Sequence, residues 1–389
     1  MSSQIKLLFK YYVTLLIRNL LKIFWIIPIK NKEFLFLSFD GKQYSDSPKY
    51  ISEYLQENVD GLEFTWAFNE IGKYDYLLNR GFKLIDRKSL LFIITCTNVK
   101  YIVTNNYIPS YIPIRKSQIL LNTWHGGSPL KTVGFMESNP DPYNVFYYKL
   151  QNDRYTAFLS SSVFVTEGVL MDSFHYYGQV LPYGMPRNSI LFTDHEDVIN
   201  KVYNYFNLSR SPNSKIIIYA PTFRGSADEG FFLPQEQQLD IDGLLDILEE
   251  IAEDHYYFLF RAHHAMADSI SSNKAIIATD YPDMQELLCA ADILITDYSS
   301  CMGDMALMKK PVFLYTPDLE DYISSRGFYW DIYSLPFPIA KTNSSFFDVI
   351  KAFDVSEYEA GVQAYLDRLG SYESADSTQK AVEWILNQK

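Results

Sequence analysis

The stretch ILITDYSSCMGD, residues 293–304, begins with four apolar or β-branched residues, continues into a polar turn and ends in residues that can start a helix. A short apolar strand that runs into a polar turn and then a helix is the repeating unit of parallel α/β sheets. From residue 33 onward, short runs rich in β-branched and aromatic residues alternate with segments of helical length in the same manner. The sequence therefore predicts an α/β fold.

Two series of such strands indicate two domains, because a chain of 389 residues is longer than one ordinary core accommodates. The predicted strands of the first series are 34–38, 64–67, 101–104, 119–122 and 164–166. After a polar, helix-like passage near 195–214, those of the second series are 216–220, 257–261, 275–278, 293–296 and 312–315. We predict an N-terminal segment over residues 1–32, a first domain over 33–195 and a second domain, with C-terminal helices, over 196–389.

The first 32 residues form an apolar and basic segment. They contain six Lys or Arg and no Asp or Glu, although the whole chain has a net charge of −13 at pH 7. Basic residues interrupt the apolar run, so its uncharged stretches are shorter than the roughly 18 to 20 residues that cross a bilayer. No small-residue cleavage site follows the run. We expect a retained amphipathic helix in the membrane interface; packing of this helix on the protein's own core or on a partner is the alternative.

Charge and cysteine content exclude several classes of function. The net charge of −13 argues against general nucleic-acid binding, because a phosphate backbone is held by a positive surface. Cys96, Cys289 and Cys301 form no C-x-x-C pair, so neither a disulfide framework nor a zinc site is indicated and a reducing cytoplasm fits the chain best. The chain also lacks the P-loop, dinucleotide, zincin and α/β-hydrolase signatures, so any phosphate site must be built differently.

Polar clusters follow three strands of the second series at the point where each strand ends. They read PTFR at 221–224, RAHH at 261–264 and DYSS at 297–300. Because the carboxyl ends of parallel strands meet at one edge of an open sheet, where ligands bind, we expect these clusters to form one crevice facing the first domain.

The first two of these clusters suit phosphate. Thr222 offers a hydroxyl and Arg224 a planar guanidinium fork, although a capped turn with an exposed arginine is the alternative. Arg261 adds a second cation. Of the adjacent histidines, which point in opposite directions on an extended chain, we assign His263 to the ligand side. A metal site on both histidines lacks a carboxylate or cysteine at ligand spacing.

The third cluster places two serines, Ser299 and Ser300, where a helix is predicted to begin. Their hydroxyls, beside free backbone N–H groups and the positive end of the helix dipole, form an anion site, although either serine could be an ordinary N-cap. Asp304 lies one turn into this helix, where it can accept a hydrogen bond from a ribose hydroxyl or face solvent.

A fourth cluster, WHGGSPLK at residues 124–131, follows the predicted strand 119–122. His125 suits a general base because imidazole titrates near neutral pH, and the glycines after it, beginning with Gly126, let a substrate approach the backbone closely. A structural, hydrogen-bonding histidine is the alternative. Lys131 and the amides after Gly126 could hold an anion, or Lys131 is a solvated surface charge.

In their order along the chain, these clusters resemble the motifs of the CDP-glycerol glycerophosphotransferase family of teichoic acid and capsule synthesis. Its members typically show W-H-G-T-P-L-K, Y-A-P-T-[WF]-R, R-x-H-P and T-D-Y-S-S, followed by K-P and R-G-F-Y. The last two read KP at 310–311 and RGFY at 326–329 here, and FDGKQY at 39–44, SPKYI at 47–51 and YGMPRN at 183–188 also look like family segments. The resemblance thus spans about residues 33–331.

Three positions depart from the family pattern. Gly127 stands where the family usually has Thr, His264 stands where it has Pro, and CMG at 301–303 replaces a more apolar stretch.

The resemblance implies a GT-B fold, in which two Rossmann-like domains face each other across a cleft and the second holds most of the nucleotide. It implies transfer of glycerol phosphate or ribitol phosphate from CDP-glycerol or CDP-ribitol to a hydroxyl of a membrane-linked teichoic acid or capsular acceptor, with release of CMP. It implies no obligatory cofactor or metal ion, and a peripheral enzyme at the cytoplasmic face of the cell membrane. The alternatives are a GT-B glycosyltransferase that uses a nucleotide sugar and a catalytically inactive scaffold.

The resemblance also assigns roles to individual residues. It makes His125 and His263 the catalytic residues, with His125 as the base. It assigns the donor's diphosphate and the leaving CMP to His263, Arg261, Thr222, Arg224, Ser299 and Ser300, and we add Asp304 to the donor-binding residues as the candidate for the ribose. It leaves Gly126, Lys131, Arg187 and Arg326 as acceptor-side or accessory residues.

Overall fold

The structure, a computed structural model, describes residues 3–222, 224–226, 229–231, 234, 237–262 and 272–388. The chain forms two compact units. The first unit comprises residues 1–127, 133–189 and 371–389, and the second comprises residues 128–132 and 190–370. Each unit is built on a parallel sheet, so the predicted α/β class is confirmed.

The first unit contains a seven-stranded parallel sheet. Its strands are β1 (Lys30–Leu37), β2 (Glu63–Phe68), β3 (Lys83–Asp86), β4 (Val99–Thr104), β5 (Ile119–Asn122), β6 (Ala157–Leu159) and β7 (Gln179–Leu181). They are ordered β3-β2-β1-β4-β5-β6-β7, so the strand order reverses between β1 and β4.

The second unit contains a six-stranded parallel sheet and a short antiparallel ribbon. The sheet strands are β8 (Ser214–Ala220), β11 (His255–Phe260), β12 (Ala275–Ile277), β13 (Ile293–Thr296), β14 (Val312–Tyr315) and β15 (Ile339–Ala340), and the ribbon strands are β9 (Arg224–Ser226) and β10 (Glu229–Phe231). The sheet order is β12-β11-β8-β13-β14-β15, which reverses between β8 and β13.

Twelve α-helices within the described ranges cover and connect these sheets. The first five are α1 (Ser3–Leu21), α2 (Asp46–Asn58), α3 (Leu90–Asn98), α4 (Asn144–Asn152) and α5 (Glu196–Tyr205). The others are α6 (Ile241–Ile251), α7 (Met284–Ala290), α8 (Cys301–Ala306), α9 (Leu319–Arg326), α10 (Asn343–Lys351), α11 (Val355–Leu369) and α12 (Ser377–Leu386).

Aromatic side chains of neighbouring strands build the core of the first unit. The ring of Phe36 in β1 lies 5.4 Å from that of Trp66 in β2, and the ring of Phe34 lies 4.3 Å from that of Tyr101 in β4. Parallel strands that are covered on both faces are nearly continuous in apolar residues, which is why the pattern in these segments predicted strands correctly.

Two elements differ from the sequence prediction, and residues 128–132 and 190–195, predicted in the first domain, belong to the second unit. The predicted strand at 164–166 lies instead at the start of a π-helical segment, Val165–Ser173. The last two strands of the sheet are β6, which precedes this segment in the chain, and β7, which follows it. Residues 371–389, predicted to belong to the second domain, belong to the first unit because apolar side chains of α12 enter its core. These side chains are Ala381, Val382, Trp384 and Ile385.

The N-terminal helix α1 has two different faces. On one face, Arg18 Nε donates to the Ser110 carbonyl and Nη2 donates to the Leu150 carbonyl, each at 2.8 Å, so this face packs on the first unit. The other face is apolar and between 51% and 65% exposed at Ile5, Phe9, Tyr12, Leu16 and Leu20. None of the helices in the described ranges is long and apolar enough to cross a bilayer.

Candidate active site

The candidate site residues lie at the carboxyl ends of parallel strands. In the first unit, Phe39, Asn105 and Asn122 stand at the ends of β1, β4 and β5, beside the point where the strand order reverses. In the second unit, Thr222 and Asp297 follow β8 and β13, which flank the equivalent point. Ligands of open α/β sheets bind where the strand order reverses. The predicted residues His125, which follows β5, and Thr222, which follows β8, stand at this edge of their sheets.

The backbone before His125 is held in a rare conformation. Trp124 has φ of 55°, a left-handed value that costs a bulky residue about 1–3 kcal/mol unless the surroundings fix it. The Trp124 N–H donates to Asn122 Oδ1 at 2.8 Å, which fixes this turn at the end of β5. A Cβ at Gly126 would lie 2.9 Å from Trp124 Nε1, so a side chain there would displace the indole. The glycine is therefore required by close packing within the loop.

The imidazole of His125 has one nitrogen bound to the protein. Nδ1 lies 2.8 Å from the carbonyl oxygen of Asn105, and because that oxygen can only accept, Nδ1 carries the hydrogen. In the neutral ring Nε2 is then the basic nitrogen. Burial lowers the pKa of His125 below its ordinary value of 6.5, against the opposing effect of the hydrogen bond to Asn105. The ring is thus a neutral base at physiological pH.

A strained turn at the end of β1 lies against the same ring. Phe39, Asp40 and Gly41 all have left-handed φ values, of 44°, 58° and 77°. The Phe39 N–H donates to Asn105 Oδ1 at 2.8 Å, and the Phe39 ring meets the His125 ring edge to face at 5.4 Å. Strained backbone of this kind concentrates at functional sites.

Asp40 presents its carboxylate from this turn in a fixed orientation. Its Oδ2 accepts from Asn106 Nδ2 at 2.9 Å, and its Oδ1 lies 3.2 Å from Arg87 Nη2. Sequence reasoning identified the FDG segment only as part of a family resemblance, because a polar turn after a strand does not reveal left-handed geometry.

Arg187 is brought beside His125 by a distant segment of the chain. Its Nη1 donates to the His125 carbonyl oxygen at 2.6 Å and to Asp46 Oδ2 at 2.8 Å. The side chains of Arg187 and Asp46 are each only 5% exposed. The first unit therefore brings three predicted residues together: His125, Gly126 and Arg187. It adds Asp46, which sequence reasoning did not identify although Asp46 immediately precedes the SPKYI segment.

In the second unit, Asp297 organises the sheet edge. The Thr222 N–H donates to both carboxylate oxygens of Asp297, at 2.9 and 3.0 Å, which ties the end of β8 to the end of β13. Asp297 is 1% exposed and also accepts from the N–H of Tyr298 at 2.5 Å. Sequence reasoning placed Asp297 in the cluster without assigning it this role.

The serines lie at the start of a short helix. Ser300 is the N-cap of α8, and the Ser299 Oγ accepts from the Cys301 N–H at 3.5 Å. Asp304 does not face solvent: it is 3% exposed, and its Oδ2 accepts from Gln285 Nε2 at 3.1 Å.

The structure shows specific partners for Arg261. Its Nη1 donates to the carbonyl oxygens of Ala278 and Tyr281, at 3.0 and 2.6 Å. Burial lowers the pKa of Arg261, with nearby Asp283 opposing this effect. The guanidinium thus supports the loop that follows β12, and binding of the donor by this residue stays a prediction.

Two of the predicted residues fall partly or wholly outside the described parts of the chain. His263 lies outside the described residues, and Arg224 is described only through its backbone in β9. Their assignments stay predictions.

The segment after Gly127 belongs to the second unit, where it pairs with the RGFY segment. Lys131 and Phe328 form an isolated antiparallel β-bridge. The Thr132 Oγ1 donates to the carbonyl oxygen of Arg326 at 2.8 Å. The structure therefore places Lys131 and Arg326 in neighbouring backbone segments, with Lys131 paired to Phe328 and the Arg326 carbonyl bound by Thr132. At the start of the same segment, Ser128 packs so closely on α8 that a Cβ at Gly303 would lie 2.2 Å from its Cβ.

Comparisons with known proteins show what the chain as a whole is similar to. The family model described as CDP-glycerol:poly(glycerophosphate) glycerophosphotransferase matches residues 19–387. The teichoic acid poly(glycerol phosphate) polymerase of Bacillus subtilis strain 168 is 31% identical over 376 residues, which cover 92% of this chain but only 49% of that protein. That of Bacillus spizizenii strain W23 is 28% identical over 99% of this chain and 100% of its own length. The solved structure of the wall teichoic acid polymerase TagF, H548A, superposes with a TM-score of 0.79 at 27% identity and covers 99% of this chain and 98% of that one.

Proposed function

This chain belongs to the CDP-glycerol:poly(glycerophosphate) glycerophosphotransferase family, and we propose that it transfers glycerol phosphate or ribitol phosphate from a CDP-activated polyol to an acceptor hydroxyl, releasing CMP. The acceptor is a membrane-linked teichoic acid or capsular glycan. Support comes from the similarity to teichoic acid polymerases over nearly the whole chain, and from a TagF structure that was soaked with CDPG. The relatives differ in length: this chain covers 49% of the Bacillus subtilis protein but 100% of the Bacillus spizizenii protein.

The observation that supports the chemistry most directly is the state of His125. Because Nδ1 donates to the Asn105 carbonyl, Nε2 accepts the proton of the acceptor hydroxyl. The hydroxyl oxygen then forms a bond to the β-phosphorus of the donor, and the bond from that phosphorus to the bridging oxygen breaks as CMP leaves. Positioning and neutralisation of the phosphate charge supply most of the catalysis in reactions of this kind.

We assign the donor to the second unit, in the GT-B arrangement that the family resemblance implies. Thr222 stands at the end of β8, where the Asp297 carboxylate holds its backbone, and the hydroxyls of Ser299 and Ser300 follow β13. With Arg224, Arg261 and His263 they form the proposed diphosphate site, and Asp304 is proposed to accept a hydrogen bond from a ribose hydroxyl of the nucleotide. The proposal requires no metal ion, so transfer should persist in excess EDTA.

The proposal also places the enzyme at the cytoplasmic face of the membrane through α1. The exposed face of this helix is apolar, whereas Lys6, Lys10 and Lys22 flank it without any acidic residue. A helix of this composition binds anionic lipid surfaces by burying its apolar face among the acyl chains.

The test is turnover of CDP-glycerol and CDP-ribitol with a lipid-linked acceptor, measured as CMP release and phosphodiester formation. We expect His125→Ala to abolish transfer. His255→Ala is the matched control, because this exposed histidine begins β11 at the opposite edge of the second sheet. Retention of activity in His125→Ala would refute the base assignment, and a glycoside product from a nucleotide sugar would refute the proposed reaction.

A further inference from the structure

A buried ion pair lies directly behind the His125 peptide. Arg187 Nη1 and Asp46 Oδ2 are 2.8 Å apart, and the same Nη1 reaches the His125 carbonyl oxygen at 2.6 Å. Asp46 begins α2 and Arg187 follows β7, so the two residues come from segments that are 141 residues apart in the chain. One guanidinium nitrogen thereby joins the start of α2 to the loop that presents the imidazole.

This arrangement is energetically expensive. Two charges that are each 5% exposed have lost most of their hydration, and replacing such pairs by apolar residues is often neutral or stabilising. Asp46 also has φ of 61°, which a non-glycine residue adopts only when its surroundings hold it there. Its Oδ1 accepts from the Ser47 N–H at 2.5 Å, so the carboxylate is fixed at both oxygens. Such costs in one place indicate a role beyond stability.

The pair completes a set of constraints around the imidazole. Asn105 holds the ring through Nδ1, Asn122 holds the Trp124 N–H, and Arg187 holds the His125 carbonyl. The fixed His125 peptide and the hydrogen bond from Nδ1 to the Asn105 carbonyl together determine where Nε2 points. A shift of about 1 Å in a reacting group can reduce the rate about 100-fold.

We propose that Asp46 and Arg187 are a positioning pair, which holds the His125 peptide so that Nε2 points at the acceptor hydroxyl. This inference rests on the proposed function, in which His125 is the base. In this role the pair acts through the bond from Arg187 to the His125 carbonyl.

The charges of the pair give a second readout beside the kcat effect, because both charges act on the imidazole. Three charged groups act on the imidazole: Asp46 and Asp40 raise the pKa of His125 and Arg187 lowers it, while burial lowers it most. Removing the charge of Asp46 should therefore lower the His125 pKa, and removing that of Arg187 should raise it. Asp40 is unchanged in both variants, so it does not contribute to the difference between them.

The experiment compares Asp46→Asn and Arg187→Gln with the wild type in full-length protein on CDP-glycerol. We expect kcat to fall by up to about 100-fold, with KM for CDP-glycerol nearly unchanged. The acid limb of kcat/KM should move to lower pH in Asp46→Asn and to higher pH in Arg187→Gln. Unchanged kcat in folded variants, or acid limbs that both stay or move together, would overturn the proposal.

Two further measurements keep the result decisive. If Arg187→Gln does not fold, Arg187→Lys replaces it: lysine keeps the charge but lacks the planar fork, so kcat should fall while the acid limb stays in place. The His125 pKa is also read directly by NMR of histidine-labelled protein without substrate. Opposite shifts there support the pair even if CDP-polyol turnover fails, whereas absent shifts refute it independently of the proposed reaction.

Discussion

At His125, a single hydrogen bond determines which nitrogen can act. The carbonyl of Asn105 requires a hydrogen on Nδ1, so the ring offers Nε2 as an acceptor only while it is neutral. A nearby carboxylate on Nδ1, as in hydrolase triads, would favour the imidazolium; a carbonyl lacks that charge. Burial then keeps the neutral form dominant.

This environment predicts the pH dependence of transfer. A general base works when unprotonated, so kcat/KM should rise with pH through the His125 pKa and then level off. Because that pKa is lowered from 6.5, the acid limb should have its midpoint below pH 6.5. A pH–rate profile measures this midpoint. A titration of CDP-glycerol alone is the control, because it shows where the donor phosphates themselves titrate. A midpoint clearly above 6.5 would contradict the assigned environment.

At the scale of elements, helix α8 depends on close contact with the segment 128–132. The Gly303 position leaves no room for a methyl group, because the Cβ of Ser128 would lie 2.2 Å away. We expect Gly303→Ala to destabilise the second unit by about 1–3 kcal/mol through overpacking. Thermal unfolding measures this, and Gly72→Ala is the control because nothing lies within 4 Å of a Cβ there. Adding Ser128→Gly should restore stability; equal melting of both single variants would contradict the packing argument.

The exposed face of α1 gives a second prediction at this scale. We expect Leu16→Glu with Leu20→Glu to reduce binding to vesicles of anionic lipid, because each buried leucine contributes about 1.5–3 kcal/mol to apolar association. Co-sedimentation of the full-length protein with vesicles measures the loss. Gln4→Glu adds the same type of charge at an exposed position off the apolar face. Equal binding of the double variant and the wild type would exclude this face as the membrane contact.

The elements also show how far the sequence could predict the site. Strand ends and their polar clusters follow from local patterns, so β5, β8 and β13 and the residues after them were placed correctly. Asp46 and Arg187 meet only after the sheet has formed, and no local pattern encodes a contact across 141 residues. The strand predicted at 164–166 failed because a short apolar run fits a buried helix equally well, and there the π-helical segment prevailed.

At the scale of the whole molecule, the chain crosses between its units several times. It enters the second unit at Ser128, returns at Val133, leaves again after Ser189 and ends in the first unit from Ser371 onward. A division of the sequence at one point, such as 195, cannot describe this path. The C-terminal helix was assigned to the wrong domain because its apolar pattern shows that it packs but not on which core.

This path predicts a strong effect of C-terminal truncation. A chain that ends at Gly370 loses α12 and its four core side chains. Burial of Val382 and of Ile385 each contributes about 1.5–3 kcal/mol, against a total domain stability of about 5–15 kcal/mol. We expect the first unit to unfold or melt far below the wild type, as measured by thermal unfolding. A chain that ends at Leu386 keeps all of α12 and should melt normally. Unchanged melting of the shorter chain would show that α12 is dispensable.

The return of α12 to the first unit also has a consequence for how the protein is made. On the ribosome, the sheet of the first unit emerges before residues 190–370, but the helix that covers this sheet beside α2 emerges only after them. The second unit, most of which is the continuous stretch 190–370, has all of its chain available before then. The unit whose sheet appears earlier is therefore completed after the other, and until α12 has emerged it exposes apolar surface that chaperones can bind.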